Sequence, residues 1–426
     1  MNISVQTDRT LIRIASPSLR HALVEFSASE SSRTSARPPV NVALAIDRSG
    51  SMGGQKIDLA RRAVVQALQM LRPTDRFSIV VYDDQVQVLG ESRLATREAV
   101  REATRAVKAL QPGGNTDLGA GWLKACEQIA QHLAGEQIGR CLLLSDGLAN
   151  QGITDRGALA AHANALRQRG VTTSTFGIGA DFDERLLAEM ARAGSGNFYY
   201  IEQAVQIPDF LTSELGEALD TVARDVVVTA QAATGVIVTP LNGFPVSSAP
   251  TGETQLQLGS LVSRQEVSLV FKLAFPVGEV RGTSRVVFRV TSRDHLLTAP
   301  DTDAVWTYAD DEANEAQARN VVVDRAVADL EYAQASAEAL ELNRAGRYEA
   351  AQSRLQHGAA AIATWAGGDA VIGSVVSQMA ADADACAAPM SPAEMKAQHF
   401  ASMNQSRGRS AAGGARRRTP SDEVAK

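Results

Sequence analysis

From Val40 to about Leu219, short apolar runs alternate with segments of helical periodicity, and this alternation constrains the fold more than any other feature of the chain. Val40 to Ile46 (VNVALAI) is continuous and partly β-branched, the pattern of a strand covered on both faces. After it, Ile57, Ala60, Val64, Leu68 and Leu71 recur at helical spacing, and Pro73 stops the segment. Phe77 to Tyr82 and Val86 to Leu89 flank Asp83-Asp84-Gln85 and read as a hairpin. Further helices are expected over about Ala95 to Leu110, Leu118 to Leu133, Asp155 to Arg169, Glu184 to Arg192 and Pro208 to Leu219. Strands are expected at Cys141 to Leu144, Val171 to Ile178 and Asn197 to Ile201. Apolar strands separated by helices dictate an α/β class, a doubly wound, mostly parallel sheet with helices on both faces.

Beyond Asp220 the texture changes. Val226 to Ala230, Gly235 to Thr239, Glu266 to Phe275 and Ser284 to Thr291 are short β-rich runs between turn-rich stretches, which reads as a β-sandwich. The sandwich is short of strands, and Leu11 to Ile14 and Leu19 to Ala28 have no place in the α/β unit, so the α/β unit reads as an insertion. From Glu312 to Asn343 the chain reads as a long amphipathic helix, broken at Ala345-Gly346 and followed by a second helix from Tyr348 to Ala361, a helical hairpin. The expected division is 1–38 (first sandwich strands), 39–221 (α/β), 222–309 (sandwich), 310–386 (helical) and 387–426 (a disordered tail rich in Ser, Gly and Arg).

The net charge of -6 argues against nucleic acid as the main partner, since phosphate binding needs a basic face. Arg407, Arg409 and Arg416 to Arg418 read as a solvated tail. Cys126, Cys141 and Cys386 are odd in number and far apart, which fits thiols in a reducing compartment better than a disulfide framework. No basic start with a long apolar run and no stretch of about 18–20 apolar residues is seen. The expected location is therefore cytoplasmic, with no transmembrane segment.

Three segments carry the chemistry: Asp47-Arg-Ser49-Gly-Ser51, Gly113-Gly-Asn-Thr116-Asp117 and Ser145-Asp146-Gly147. In an open parallel sheet, ligands sit outside the carboxyl ends of the strands, and Asp47 and Asp146 each follow an apolar strand. Two carboxylates meeting there repel by roughly 4 kcal/mol at about 4 Å and an effective dielectric of about 20, so one is protonated or a cation lies between them. Ser49, Ser51 and Thr116 add neutral hydroxyls, with no cysteine or histidine nearby. An all-oxygen set suits a hard cation, and so few carboxylates favour Mg2+, with Mn2+ and Ca2+ as the other candidates. Five side chains, some acting through water, leave a coordination position open.

These segments, in this order, resemble the metal-ion-dependent adhesion site of von Willebrand factor A domains: Asp-x-Ser-x-Ser, a Thr in a Gly-rich loop, and an Asp in a Leu-Ser-Asp-Gly turn. The likeness runs from about Pro39 to Gly216 and includes Thr175-Phe176-Gly177-Ile178-Gly179. It implies that Asp47, Ser49, Ser51, Thr116 and Asp146 hold the metal and that a partner protein's Asp or Glu carboxylate fills the open position. It also implies that affinity is switched in some members by the last helix of the domain, here Pro208 to Leu219. The flanking regions are similar, more loosely, to bacterial and plant members related to calcium-activated chloride channel regulators.

Plainer roles exist for several of these residues. Ser51 and Thr116 also suit helix caps; Asp117 suits a first helical turn better than a ligand role; Asp83 and Asp84 suit a turn. Arg48 either steers an acidic partner or is a solvated loop charge. Trp122 reads as core, His132 and His162 as surface. The chain lacks a Gly-x-Ser-x-Gly elbow, a phosphate loop and a dinucleotide fingerprint. A metal-dependent protein-binding module, not an enzyme, is the expected function. The alternatives are a metal-dependent hydrolase using the same site and a scaffold that binds through its helical region.

Overall fold

The computed structural model describes residues 3–30, 38–133, 137–249, 252–293, 297 and 299–418. They fall into two compact units, Ser31–Thr221 and a second composed of Met1–Glu30 with Val222–Lys426. Strands β1 (Ile3–Thr7), β2 (Leu11–Arg13) and β3 (Ser18–Ser27) open the chain and belong to the second unit.

The first unit runs β4 (Val40–Asp47), α1 (Gln55–Met70), β5 (Arg76–Tyr82), β6 (Val86–Leu94), α2 (Arg97–Lys108), α3 (Leu118–Ala130), β7 (Ile138–Ser145), α4 (Arg156–Gln168), β8 (Val171–Ile178), α5 (Glu184–Ala193), β9 (Ser195–Ile201) and α6 (Ile207–Leu219). Its six strands lie in the order β6-β5-β4-β7-β8-β9. All pairings are parallel except the β5–β6 hairpin. Every residue of β4, β7 and β8 is buried, which is why these strands read as unbroken apolar runs. The chain leaves β4 toward β5 on one side and later returns to β7 on the other, so the topology switches direction between β4 and β7. A crevice opens at the carboxyl ends of two such strands, and here those ends are Asp47 and Ser145.

Helix α3 lies close against the sheet because Gly121 lacks a side chain: a Cβ there would fall 2.3 Å from the Tyr82 ring. The Tyr82 hydroxyl in turn donates to the Leu144 carbonyl at 2.9 Å, tying β5 to β7 beneath the loops that follow them.

The second unit adds β10 (Thr221–Ala232), β11 (Ile237–Pro240), β12 (Val246–Ser248), β13 (Thr254–Val262), β14 (Glu266–Phe275), β15 (Thr283–Thr291) and β16 (Thr302–Ala309). Two sheets form, in the orders β1-β3-β14-β11 and β12-β13-β10-β15-β16-β2. The N-terminal strands thus enter both sheets, β3 pairing with β14 along ten residues. Alternate residues of the strands meet between the sheets, where Phe271 packs against Phe288 and Phe275 against Trp306, in tilted pairs with ring centroids 5.1 and 4.9 Å apart.

Helices α7 (Asp311–Ala316), α8 (Val321–Arg344), α9 (Tyr348–Ala363), α10 (Ala370–Cys386) and α11 (Pro392–Ser406) complete this unit. The single helix expected from Glu312 to Asn343 is divided, because Asn320 caps a fresh start by accepting from Val322 N at 3.0 Å. The expected hairpin is enlarged, with α10 packing on α8 and α9, and α11 on α8. A disordered tail from 387 is not what the structure shows. Ser391 and Glu394 form a reciprocal capping box around Pro392, which starts α11. Arg416 and Arg418 then bond through their backbones to Glu266 and Arg264 at the sandwich, so that stretch is not a free solvated tail. Residues 419–426 lie outside the described residues.

Candidate metal centre

Asp47 is the last residue of β4, and the β4–β7 register, Ile46 opposite Leu144, sets it beside Ser145. It is fully buried. One carboxylate oxygen accepts from Ser49 N at 2.8 Å and the other from the Ser145 hydroxyl at 2.7 Å. Burial pushes its carboxyl up to about 6; the Ser49 and Ser145 hydrogen bonds oppose this, and the charge of Asp146 adds to it.

Asp146, also fully buried, accepts from the Ser51 hydroxyl at 2.7 Å on one oxygen and from the Lys56 ammonium at 2.5 Å on the other. The Ser49 and Ser51 hydroxyls are 3.1 Å apart. A continuous chain of contacts therefore joins Asp47, Ser49, Ser51 and Asp146. Thr116 joins it at Gly147, where an added Cβ would lie 3.5 Å from the Thr116 hydroxyl and 3.7 Å from that of Ser51. All five expected residues come together at one edge of the sheet.

Backbone bonds tie the loops to one another. Gly113 N donates to Arg48 O at 2.7 Å, Gly50 N to Gly114 O at 3.2 Å, and Asp117 N to Asp83 O at 2.7 Å. Asn150 closes the third side, its side chain accepting from Thr116 N at 3.1 Å while its own N–H donates to Thr116 O at 3.3 Å. Gly114 has a φ of 43°, and a Cβ there would run into Asp84.

The plainer roles divide. Thr116 is not a cap: Asp117 caps α3, accepting from Ala120 N at 2.9 Å. Nor is Ser51, since a 3-10 turn over Gly50–Met52 and then Gly54 precede α1. Both hydroxyls are thereby left for the site. Arg48 pairs with Asp83 at 3.0 Å, so it is neither a solvated charge nor an unengaged steering group. Trp122 is buried and donates to Thr173 at 3.1 Å, a core role; His132 and His162 are exposed; the three cysteines are buried free thiols.

Lys56, Ser145 and Asn150 were not anticipated. For Lys56 a signal existed. A cation in the first turn of a helix stands against the helix dipole, and such a placement asks for a nearby carboxylate.

The donor chemistry fits a hard dication. Among the described residues no three His, Cys, Asp or Glu side chains gather as a metal cluster, so an ion bound here would take hydroxyl oxygens beside the two carboxylates. The Lys56 ammonium pairs with one oxygen of Asp146 and leaves the other facing Ser51.

Residues 41–233 match the model of the von Willebrand factor type A domain. The Escherichia coli protein YfbK is 32% identical over 191 residues, covering 44% of this chain and 33% of that protein. The chain spans about a third of the length of YfbK and of the Synechocystis protein sll0103, to which it is 28% identical over 170 residues. Among solved structures, a von Willebrand factor type A protein from Catenulispora acidiphila superposes with a TM-score of 0.67 at 19% identity, covering 88% of each chain. The ArnB paralog VWA2 from Sulfolobus acidocaldarius gives 0.59 at 19% identity, covering 91% of this chain and 99% of that one. At these identities the structural likeness speaks for the fold.

Proposed function

We propose, because residues 41–233 are a von Willebrand factor type A domain, that this chain binds a partner protein through a divalent cation, Mg2+ in the first instance, held by Asp47, Ser49, Ser51, Thr116 and Asp146. What supports the reading is the convergence of Ser49, Ser51 and Asp146 oxygens on one point beside Asp47, with Thr116 facing the same Gly147. When bound, the ion supplies a Lewis-acidic position that a carboxylate from the partner completes.

The chain's own residues prepare the site. Ser145 and the Ser49 N–H fix the Asp47 carboxylate, and Asp146 orients the Ser51 hydroxyl. Each carboxylate oxygen keeps a second lone pair, so these bonds orient the donors without exhausting them. Leu148, 56% exposed and next to Gly147, offers an apolar contact at the rim.

Binding is favoured over hydrolysis. All four oxygens of Asp47 and Asp146 already accept a hydrogen bond or ion pair, and the histidines described, at 21, 132, 162, 357 and 399, lie outside the three loops. Both carboxylates are thus engaged in orienting the loop donors, which supports a binding role over general-base chemistry.

Calorimetric titration of Mg2+ into the wild type and Asp47→Ala tests the metal site, with far-UV circular dichroism to show that the variant folds. The wild type should bind and Asp47→Ala should not. An Asp47→Ala protein with unchanged Mg2+ affinity would sink the reading. Partner capture should then require both Mg2+ and Asp47.

A further inference from the structure

We propose that Lys56 is a tethered counter-cation: it neutralises Asp146 in the metal-free site and must leave that carboxylate for the site to load. The inference rests on the metal-binding reading above and adds a residue outside its donor set.

The geometry carries it. Lys56 is the second residue of α1, and its ammonium lies 2.5 Å from an oxygen of fully buried Asp146. Asp146 cannot be solvated there, and Asp47 is buried beside it. Two buried carboxylates at one sheet edge are relieved by a proton or by a compensating cation, and Lys56 brings a cation covalently. Its side chain remains 27% exposed and lies 3.7 Å from the Cβ position of Gly179, so it reaches the site from the rim rather than from the core. A four-carbon stem lets the ammonium swing into solvent while α1 stays in place. A fixed positive charge at that distance opposes entry of a second one. Lys56 therefore holds the loops together and at the same time lowers the affinity for metal.

The test uses the full chain. Lys56→Met removes the charge and keeps most of the stem; Lys56→Gln removes the charge and keeps a hydrogen-bond donor; Lys56→Arg keeps the charge. Each is stripped with EDTA, dialysed and titrated with MgCl2 alone by calorimetry, and thermal unfolding is followed in EDTA and in Mg2+. Lys56→Met and Lys56→Gln should both bind Mg2+ about tenfold tighter or more, melt lower than wild type in EDTA, and recover in Mg2+. Lys56→Arg should stay near wild type. Folded Lys56→Met and Lys56→Gln proteins with unchanged or weaker Mg2+ affinity would overturn the proposal, as would tightening in Lys56→Met alone, which would point to bulk or hydrogen bonding rather than charge. Should Lys56→Met fail to fold without metal, Lys56→Gln purified in Mg2+ supplies the same comparison. Loss of Mg2+ binding in Asp47→Ala alongside unaltered Lys56 variants would leave the metal site standing and remove only the role of Lys56. Absence of Mg2+ binding in the wild type and in every Lys56 variant would remove both.

Discussion

Asp47 is an acid held in a place where its charge is costly. Burial strips its carboxyl of water and pushes it up to about 6, well above the ordinary aspartate range. Below about pH 4 it is protonated in both folded and unfolded chains and contributes nothing to pH dependence. Between those two values the folded state holds a proton that the unfolded state has lost, so stability declines as pH rises. Above pH 6 the cost is complete, roughly 3 kcal/mol. Asp47→Asn in EDTA should therefore be more stable than wild type at pH 7, by up to about 2 kcal/mol once weaker bonds to Ser49 and Ser145 are discounted. The gain should shrink at pH 5 and vanish at pH 4, as urea unfolding at the three pH values would show. An Asn variant less stable than wild type at pH 7 in EDTA would mean that the charge is compensated better than its burial suggests. Asp47 and Asp146 were legible in the sequence because each directly follows an apolar strand run, which fixes it to the sheet edge. The pairing of Lys56 with Asp146 was not, because the two lie ninety residues apart in sequence, a separation that the β4–β7 pairing closes. The capping options weighed for Ser51 and Thr116 were also local readings, and Gly54 and Asp117 took those places.

Among the elements, α6 is anchored by one buried acid. Glu214, fully buried, accepts from Ser174 at 2.6 Å, Tyr199 at 2.7 Å and Asn197 at 2.8 Å, and pairs with Arg140 at 3.3 Å. Those partners stand on β7, β8 and β9, so a single carboxylate holds the helix to three strands. Glu214→Ala leaves Arg140 buried without a counter-charge, and the expected loss is about 3–5 kcal/mol. Glu214→Gln should lose less, since the amide still accepts from some of these donors. Denaturant unfolding of the two variants checks the order; a loss below about 1 kcal/mol in Glu214→Ala would mean that α6 is held by its apolar face alone. Helix α3 is limited by space rather than charge. In Gly121→Ala the new methyl meets the Tyr82 ring, and overpacking of this kind costs about 1–3 kcal/mol or more. A melting temperature unchanged from wild type would show that α3 can lift from β5 freely. Helix periodicity could find α3 and α6 but not these contacts, which depend on what lies across the sheet. At the other end of the chain the composition misled. Ser, Gly and Arg suggested disorder, while the Ser-x-x-Glu pattern at Ser391 and Glu394, with Pro392 between them, was a local start signal that composition alone masks.

On the scale of the whole molecule, the five residues proposed to hold the cation and Lys56 all lie within Ser31–Thr221, and that unit contains its own six-stranded sheet. The sandwich core is built separately, from strands on both sides of that segment in the sequence. Among the described residues, the hydrogen bonds that orient these side chains come from within the same segment. A fragment of residues 38–221 should consequently fold alone and bind Mg2+ within about threefold of the full chain, as expected when distant groups act independently. Its stability should rise with Mg2+ by the mass-action increment, about 2.7 kcal/mol at a hundred times Kd. Hydrogen exchange on the full chain offers a complementary measurement: Mg2+ should slow exchange at β4, β7 and the starts of α1 and α3, and leave β14 and β15 unchanged. A fragment that folds yet binds Mg2+ far more weakly than the full chain would show that the second unit tunes the loops. The same conclusion would follow if β14 and β15 gained protection equal to β4 and β7, because a ligand protects only those segments whose opening dissolves its site.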